Sequence, residues 1–251
     1  CVRDRFGIKP FYYFTNKDEF IFASETKALL PFLNEIKTNR EALSEYFTFQ
    51  FNLNEKTLFE NVFSLNPGHY LTIKRGNIKI KQYWDVKYDI NYSLREDECI
   101  DKLNYLINES VNLHSRSDVP IGCYVSGGLD SSLIYILNKE NPSSSNKAFH
   151  GKFSNFKDHD ESFYANEAVN HINGELFCED ISFKDFEKNI MELIYHLDYP
   201  CAGPGSFPQY MVAKLASQNV KVVLGGQGGD EIFGGYARYL VAYLEQCLKA
   251  G

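Results

Sequence analysis

The sequence lacks the features that mark membrane proteins, secreted proteins and metal cages. It has no apolar run of the roughly 18 residues that a membrane-spanning helix needs, and no charged segment followed by an apolar one, as in a secretory leader. Its cysteines show no C-x-x-C spacing and its histidines no metal-ligand spacing, which disfavours both a metal cage and a disulfide framework. We therefore expect a cytoplasmic protein with reduced packing cysteines, at positions 1, 99, 123, 178, 201 and 247.

The sequence also has fewer basic than acidic residues. The chain has 26 Lys and Arg against 33 Asp and Glu, and this net charge of -7 argues against nucleic acid as a default partner. The 251 residues are 44% hydrophobic, which is enough for one large globular domain or two small ones. Neither nucleic acid nor a membrane is therefore expected as a partner, and a homodimer stays open as the assembly.

The first 90 residues are predicted to be β-rich. FYYFT and FIFAS flank the polar turn NKDE, and HYLTIK and IKIKQYW flank RGN, so each pair is typical of a β-hairpin. Asn39 precedes REALSEYF and is the expected N-cap of a helix.

From about residue 94 onward, helices and strands alternate. Strands are predicted at IGCYV, AFHGKF, ELFCED and VKVVL, with helices near 129–139, 160–172, 183–197 and 206–218 between them. This alternation predicts a mostly parallel, doubly wound sheet that begins after a domain boundary near 84–91. NPSSSNK at 141–147 is predicted to be a loop within the second domain. A preceding helix near 94–115 places its apolar residues on one face, namely Ile100, Leu103, Leu106, Ile107 and Val111.

The heptapeptide SGGLDSS, at 126–132, follows the strand IGCYV and opens a helix. Two adjacent glycines let the backbone N–H groups curl inward at a helix N-terminus, which forms a cradle for phosphate. The loop has neither the Lys of a Walker A motif nor the G-x-G-x-x-G dinucleotide pattern. Asp130 within the cradle would repel phosphate unless a cation lies between them, and this implies Mg²⁺. The alternative is an ordinary glycine-rich turn with a capping side chain.

A second glycine-rich loop, GGQGGDEIFGG at 225–235, follows the strand VKVVL. Ligands of such sheets bind at the carboxyl ends of the strands, and both loops belong to that edge. The second loop holds the adjacent acids Asp230 and Glu231, and an amide, Gln227.

These motifs resemble those of a known family. SGGLDSS resembles the pyrophosphate-binding loop of the N-type ATP pyrophosphatases, and GGQGGDEIFGGY resembles a second motif of the glutamine-dependent asparagine synthetases. RDRFGIKPFYY (3–13), FASETKALL (22–30) and NPGHYLTIKRG (66–76) are similar to the closing part of that family's glutaminase domain. The resemblance implies an α/β chain of two parts. Residues 1–90 would be the β-rich C-terminal part of an N-terminal-nucleophile glutamine amidotransferase domain. Residues 91–251 would be the N-terminal part of a doubly wound ATP-pyrophosphatase domain, of the adenine nucleotide alpha-hydrolase-like type.

The resemblance also implies a two-step reaction on small molecules. ATP adenylates the side-chain carboxylate of aspartate and releases pyrophosphate, and ammonia from glutamine then attacks the acyl-adenylate. Asp130 and Asp230 would share one Mg²⁺, and Gln227 would contact the intermediate. Carried over by position, the residues expected to bind ATP or pyrophosphate are Tyr124, Ser126, Gly127, Gly128, Leu129, Asp130, Ser131, Ser132, Gly151, Gly225 and Gly226.

Three departures from the family pattern leave alternatives open. The glutaminase nucleophile is expected upstream of RDRFG and a catalytic Lys downstream of the second motif, so we expect a fragment in which Cys1 is not the nucleophile. The family usually carries Glu where this chain has Gln227, and an amide cannot act as a base. The acceptor could then be a carboxylate other than that of aspartate, in a related amide- or lactam-forming enzyme. A non-catalytic remnant of the fold is the other alternative.

Overall fold

A computed structural model describes residues 1–200, 203 and 205–250. The chain divides into two compact units, one made of Cys1–Tyr92 with Met191–Gly203, the other of Ser93–Ile190 with Pro204–Gly251. No helix within the described residues combines the length and apolarity that crossing a membrane requires.

The first unit contains the two predicted hairpins. Strands β1 (Tyr12–Thr15) and β2 (Phe20–Ala23) pair antiparallel, and β3 (Val62–Ser64) pairs with the other edge of β1. Strands β4 (His69–Lys74) and β5 (Asn77–Gln82) form the second hairpin. Both residues of its turn, Arg75 and Gly76, have positive φ (50° and 77°), as a tight hairpin turn requires. Both hairpin predictions are thereby confirmed.

Helix α1 (Arg40–Phe49) begins at the predicted cap. The Asn39 side chain accepts the backbone N–H of Ala42 at 3.1 Å, and the helix ends at Gln50 with φ 65°. Two short 3-10 helices, Thr26–Ala28 and Leu30–Phe32, precede it.

The segment Met191–Gly203 is joined to the rest of the first unit by polar contacts. Lys27 Nζ lies 2.9 Å from Asp198 Oδ1, and the Tyr46 hydroxyl donates to the carbonyl oxygen of Pro200 at 2.7 Å. A stretch that is distant in sequence is thereby held to the hairpin unit.

The second unit is built on a four-stranded parallel sheet in the order β8-β7-β6-β9. Its strands are β6 (Ile121–Tyr124), β7 (Ser144–Lys152), β8 (Glu175–Asp180) and β9 (Val222–Leu224). Its helices are α2 (Glu96–His114), α3 (Leu129–Asn138), α4 (Ser162–His171), α6 (Ser206–Ser217), α7 (Gly229–Phe233) and α8 (Ala237–Ala250). Helix α5 (Phe183–Leu197) begins in this unit and continues into the segment that starts at Met191. Because β7 and β9 flank β6, the segments after β6 and β9 leave adjacent strands at one edge.

The predicted loop at 141–147 is wrong from Ser144 onward, because β7 begins there. Ser144 pairs with Ile121, and Lys147 pairs with Glu175. Serine and asparagine favour turns, but strands on both sides bind the backbone of this stretch, so tertiary pairing overrides local preference. The conflict remains visible as a register shift between the pairs Ile121–Ser144 and Cys123–Ala148, a stretch in which Asn146 has a φ of 55°.

The prediction that the cysteines are packing residues holds only for Cys123. This thiol is buried in the core with Val125, Tyr135 and Ala148, and burial raises its pKa to about 12. Cys201 lies outside the described residues. The other four are free and exposed, so the prediction is wrong for Cys1, Cys99, Cys178 and Cys247.

The apolar face of α2 is also mostly uncovered. Val111 is buried, whereas Ile100, Leu103 and Leu106 are 59%, 40% and 46% exposed. The helical spacing of these apolar residues follows from the sequence, but their burial requires a neighbouring element that the described residues do not provide.

Candidate active site

A cleft of about 740 Å³ opens where the chain leaves β6 and β9. Both glycine-rich loops contribute to its walls, as the shared sheet edge predicts. The lining residues are Leu103, Ile107, Tyr124, Ser126, Gly128, Leu129, Asp130, Ser131, Leu133, Gly226, Gln227, Gly228, Gly229, Asp230, Glu231, Phe233, Gly235 and Tyr236.

The first loop is braced by its own serines. The Ser131 hydroxyl accepts the backbone N–H of Ser126 at 3.1 Å and lies 3.0 Å from Ser126 Oγ. Ser126 Oγ in turn accepts the N–H of Gly128 at 3.3 Å. Ser131 is 8% exposed, so its hydroxyl holds the loop in shape. The N–H groups in the first turn of α3, which have no carbonyl partner within the helix, are then the donors that an anion can use.

Gly127 lets α4 approach this loop closely. Its φ is 97°, and a Cβ there would lie 2.8 Å from the carbonyl oxygen of Glu161 and 3.1 Å from Tyr164 Cβ. Any side chain at this position would push the start of α4 away from the cradle.

The second loop takes its shape from glycine. Gly228 and Gly234 bracket the five-residue helix α7 and have φ of 98° and 69°. A Cβ at Gly226 would lie 2.7 Å from the backbone N of Ser131 and 3.0 Å from the backbone C of Asp130. The two loops therefore touch backbone to backbone, which only glycine permits at that contact.

Two carboxylates from different loops, those of Asp130 and Asp230, line the cleft. A Cβ at Gly229 would overlap the Asp130 carboxylate, and a Cβ at Gly235 would overlap the Asp230 carboxylate. No group of three or more His, Cys, Asp or Glu side chains suited to a metal occurs among the residues described. Two hard oxygen donors beside a phosphate cradle fit Mg²⁺, which proteins commonly bind through one or two carboxylates together with substrate phosphates and water.

A third carboxylate of the cleft, Glu231, has its own partner. The Tyr236 hydroxyl donates to Glu231 Oε1 at 2.9 Å. Hydrogen bonds from its own backbone N–H and from this hydroxyl lower the pKa of Glu231, and the same bond raises the pKa of Tyr236. Glu231 is therefore ionised at neutral pH, and the tyrosine is neutral.

A second cavity of about 250 Å³ adjoins the cleft, and Gln227 lines both. A Cβ at Gly225 would overlap Gln227 Oε1, so the side-chain amide folds back over that glycine. Tyr124 and Ser126 are also common to both cavities, and burial raises the pKa of the Tyr124 phenol. The remaining walls come from Val125, Phe149, His150, Gly151, Phe153, His159, Glu161, Pro208, Gln209 and Val212.

The structure brings most of the predicted site residues together, in two groups. The cleft contains Tyr124, Ser126, Gly128, Leu129, Asp130, Ser131, Gly226, Gln227 and Asp230, and the second cavity adds Gly151. Within the described part of the chain, neither cavity is lined by Gly127, Ser132 or Gly225. Sequence reasoning missed His150 and Tyr236. The motif GGQGGDEIFGGY contains Tyr236 and could have indicated it.

Comparison with known families divides the chain in the same order. The family described as asparagine synthase matches residues 102–250. The family described as glutamine amidotransferase domain matches residues 1–84.

Individual relatives match nearly the whole chain. Glutamine-hydrolysing asparagine synthetase 1 of Bacillus subtilis is 38% identical over 240 residues, covering 95% of this chain and 37% of the relative. A Methanocaldococcus jannaschii protein, provisionally named glutamine-hydrolysing asparagine synthetase 2, is 33% identical over 254 residues, covering 97% of this chain and 48% of that protein. A Mycobacterium bovis protein with a provisional name of the same kind is 30% identical, with coverages of 95% and 38%.

The chain therefore spans less than half the length of these curated relatives. The asparagine synthase match alone, at residues 102–250, covers more than half of this chain. By that match, and by the relatives that agree with it, the chain belongs to the asparagine synthase family.

Proposed function

We propose that the protein containing this chain is an ATP-dependent amidotransferase that makes asparagine from aspartate, with ammonia from glutamine. Residues 1–90 are the C-terminal part of its amidotransferase domain, and residues 91–251 are the first part of a doubly wound ATP-pyrophosphatase domain. The reversal of strand order at β6 supports the doubly wound arrangement. A cytoplasmic location and assembly as a homodimer stay predictions.

One observation carries this proposal: Asp130 and Asp230 line the same cleft from two loops that touch at Gly226. Phosphates of ATP would bind the N–H groups of the first turn of α3, since Ser131 already holds the loop in shape. Mg²⁺, when bound by the two carboxylates, neutralises charge that develops on the leaving pyrophosphate. The glycines at 226, 229 and 235 leave room for these groups to approach one another.

The chemistry is then two substitutions. An oxygen of the aspartate side chain attacks the α-phosphorus of ATP, the bond to the bridging oxygen breaks, and pyrophosphate leaves. Ammonia next attacks the acyl carbon of the adenylate, AMP departs, and a proton is lost from nitrogen. Gln227 lies where the cleft meets the second cavity, and its neutral amide can orient the adenylate and the ammonia but cannot accept that proton.

The proposal is tested in full-length protein by measuring pyrophosphate exchange into ATP and amide formation separately. Exchange should require both Mg²⁺ and aspartate, and asparagine should form when glutamine or ammonia is supplied. If exchange depends on another carboxylic acid instead, that compound and not aspartate is the acceptor. If no acceptor supports exchange, the proposed adenylation is refuted.

Gln227 offers a sharper test. Gln227→Ala should slow amide formation about tenfold or more and change exchange little, because its contact is used after pyrophosphate leaves. Gln227→Glu keeps the shape and adds charge, so it should be tolerated if the acceptor is aspartate. Equal rates for wild type and Gln227→Ala in both assays would leave the amide with only a structural role.

A further inference from the structure

His150 is a buried histidine with one nitrogen unused. It lies near the carboxyl end of β7, is 3% exposed and lines the second cavity. Its Nδ1 is 2.8 Å from the carbonyl oxygen of Val125. A carbonyl only accepts hydrogen bonds, so Nδ1 carries the hydrogen and donates it.

This bond fixes the tautomer of the ring. In neutral imidazole a protonated Nδ1 leaves Nε2 as an acceptor, with its lone pair directed away from Val125. Nε2 is buried, and no residue in the described part of the chain hydrogen-bonds to it. Proteins leave few buried polar atoms unpaired, so we expect Nε2 to accept a hydrogen bond from a group that is not among these residues.

The position of the cavity indicates what that donor is. The cavity shares Tyr124, Ser126 and Gln227 with the phosphate cleft, so a nucleotide with its phosphates in the cleft places its base here. Phe149, Phe153 and Val212 give this space apolar walls, which suit a flat base.

We propose that His150 Nε2 accepts a hydrogen bond from the 6-amino group of adenine and makes His150 a specificity-determining residue for the nucleotide. The inference rests on the proposed function, because it assumes that ATP phosphates bind at the first loop. A 6-oxo purine presents an acceptor at that position, so two lone pairs would face one another and binding would weaken.

Matched nucleotides test this in unmodified full-length protein. Dissociation constants are measured by calorimetry, with Mg²⁺ present, for ATP, purine riboside triphosphate (which lacks the amino group) and inosine triphosphate (which is 6-oxo). Purine riboside triphosphate should bind about 2- to 10-fold more weakly than ATP, the range expected for one hydrogen bond. Inosine triphosphate should bind more weakly still.

His150→Leu should remove this preference, so that ATP and purine riboside triphosphate bind equally. The matched control is His171→Leu, which changes an exposed histidine outside both cavities and should keep the wild-type preference. The Nε2 resonance of His150 in ¹⁵N spectra should move upfield with ATP and stay in place with purine riboside triphosphate.

The outcomes separate the two proposals. If ATP binds and exchanges pyrophosphate but wild type binds all three nucleotides equally, His150 has no such role and the proposed function survives. If ATP does not bind at all, both proposals fall. Should His150→Leu not fold, the wild-type ratios and the Nε2 resonance still decide the matter, and an unmoved resonance overturns the inference.

Discussion

The two glycine-rich loops of the cleft are built in opposite ways. In the first, Ser126 and Ser131 bind one another and the loop backbone, and the loop continues into α3, which buries Ser131, Tyr135 and Asn138. The second leads into α7, which has five residues and buries none of them, and it turns on glycines with positive φ.

This difference separates two ways of shaping the walls of one cleft. The first loop is fixed by hydrogen bonds and by its helix, so it can hold backbone donors in place before a ligand arrives. The second is held by backbone bonds within itself, from the N–H groups of Gly229, Ile232 and Gly235 to the carbonyl oxygens of Gly226, Gly228 and Asp230. Its Gly226 packs against the backbone of Asp130 and Ser131. The first loop thus takes its shape from serine side chains, and the second from glycine turns and its own backbone bonds.

The largest effect should come from the carboxylate that each loop contributes. Under the proposed function, Asp130→Asn and Asp230→Asn each remove one of the two proposed oxygen ligands of Mg²⁺, so in full-length protein each should lower pyrophosphate exchange by about 100-fold or more. The control is Asp118→Asn, which changes an exposed aspartate outside the cleft and should leave exchange unchanged. If both cleft variants keep wild-type exchange, the two loops do not hold the metal together.

A smaller effect is expected where the loops touch. Gly226→Ala adds a Cβ only 2.7 Å from the backbone N of Ser131, and overpacking of this kind costs about 1–3 kcal/mol. Exchange should fall about tenfold, while thermal unfolding shifts by a few degrees.

Gly205→Ala is the matched control for that contact. Gly205 has φ -71°, and no other described residue lies within 4 Å of its Cβ position, so its substitution should change neither measurement. If Gly226→Ala gives the same exchange rate and unfolding temperature as Gly205→Ala, the second loop can shift to accept the added Cβ, and its contact with the first loop does not set its position.

The smallest effect concerns the hydrogen bond at the end of the second loop. Tyr236→Phe removes the hydroxyl bound to Glu231, so the pKa of Glu231 should rise toward its usual value of 4.5. A carboxylate whose pKa is lower in the folded than in the unfolded state stabilises the protein above its unfolded pKa, and this stabilisation is lost as pH falls through the folded pKa. The free energy of unfolding of the variant should therefore differ from that of wild type only above that acidic range. Because the pair is exposed, the difference in stability should be slight.

Carboxyl NMR titration of Glu231 checks this shift directly. Tyr239→Phe, which leaves the Glu231 hydrogen bond intact, is the control. A Glu231 pKa that is the same in wild type and Tyr236→Phe would show that the backbone N–H contacts alone determine it.

Local patterns gave most of the elements of this fold. The hairpin turns, the Asn39 cap and the strands around β6 follow from residues close together in sequence. The start of β7 at Ser144 could not be predicted in this way, because partner strands on both sides capture a stretch whose composition favours a turn.

The candidate site shows the same distinction between features set by local sequence and features set by distant contacts. The two motifs indicated Asp130, Asp230 and Gln227, since glycine-rich turns after strands carry their own local signal. Nothing near His150 in sequence indicates a role, because its orientation depends on the carbonyl of Val125, the residue that follows the neighbouring strand β6. The bond between Tyr236 and Glu231 likewise requires the turn at Gly234, which sequence alone leaves undetermined.

The strand order has a consequence for how the protein is made. Ile121 of β6 pairs with Val222 of β9, so during translation one edge of β6 stays unpaired until the ribosome has synthesised all the intervening chain. Pairings this distant in sequence form late and slowly. The half of the cleft that holds Asp230 is therefore expected to form late in folding, after the first glycine-rich loop and the strand before it are in place.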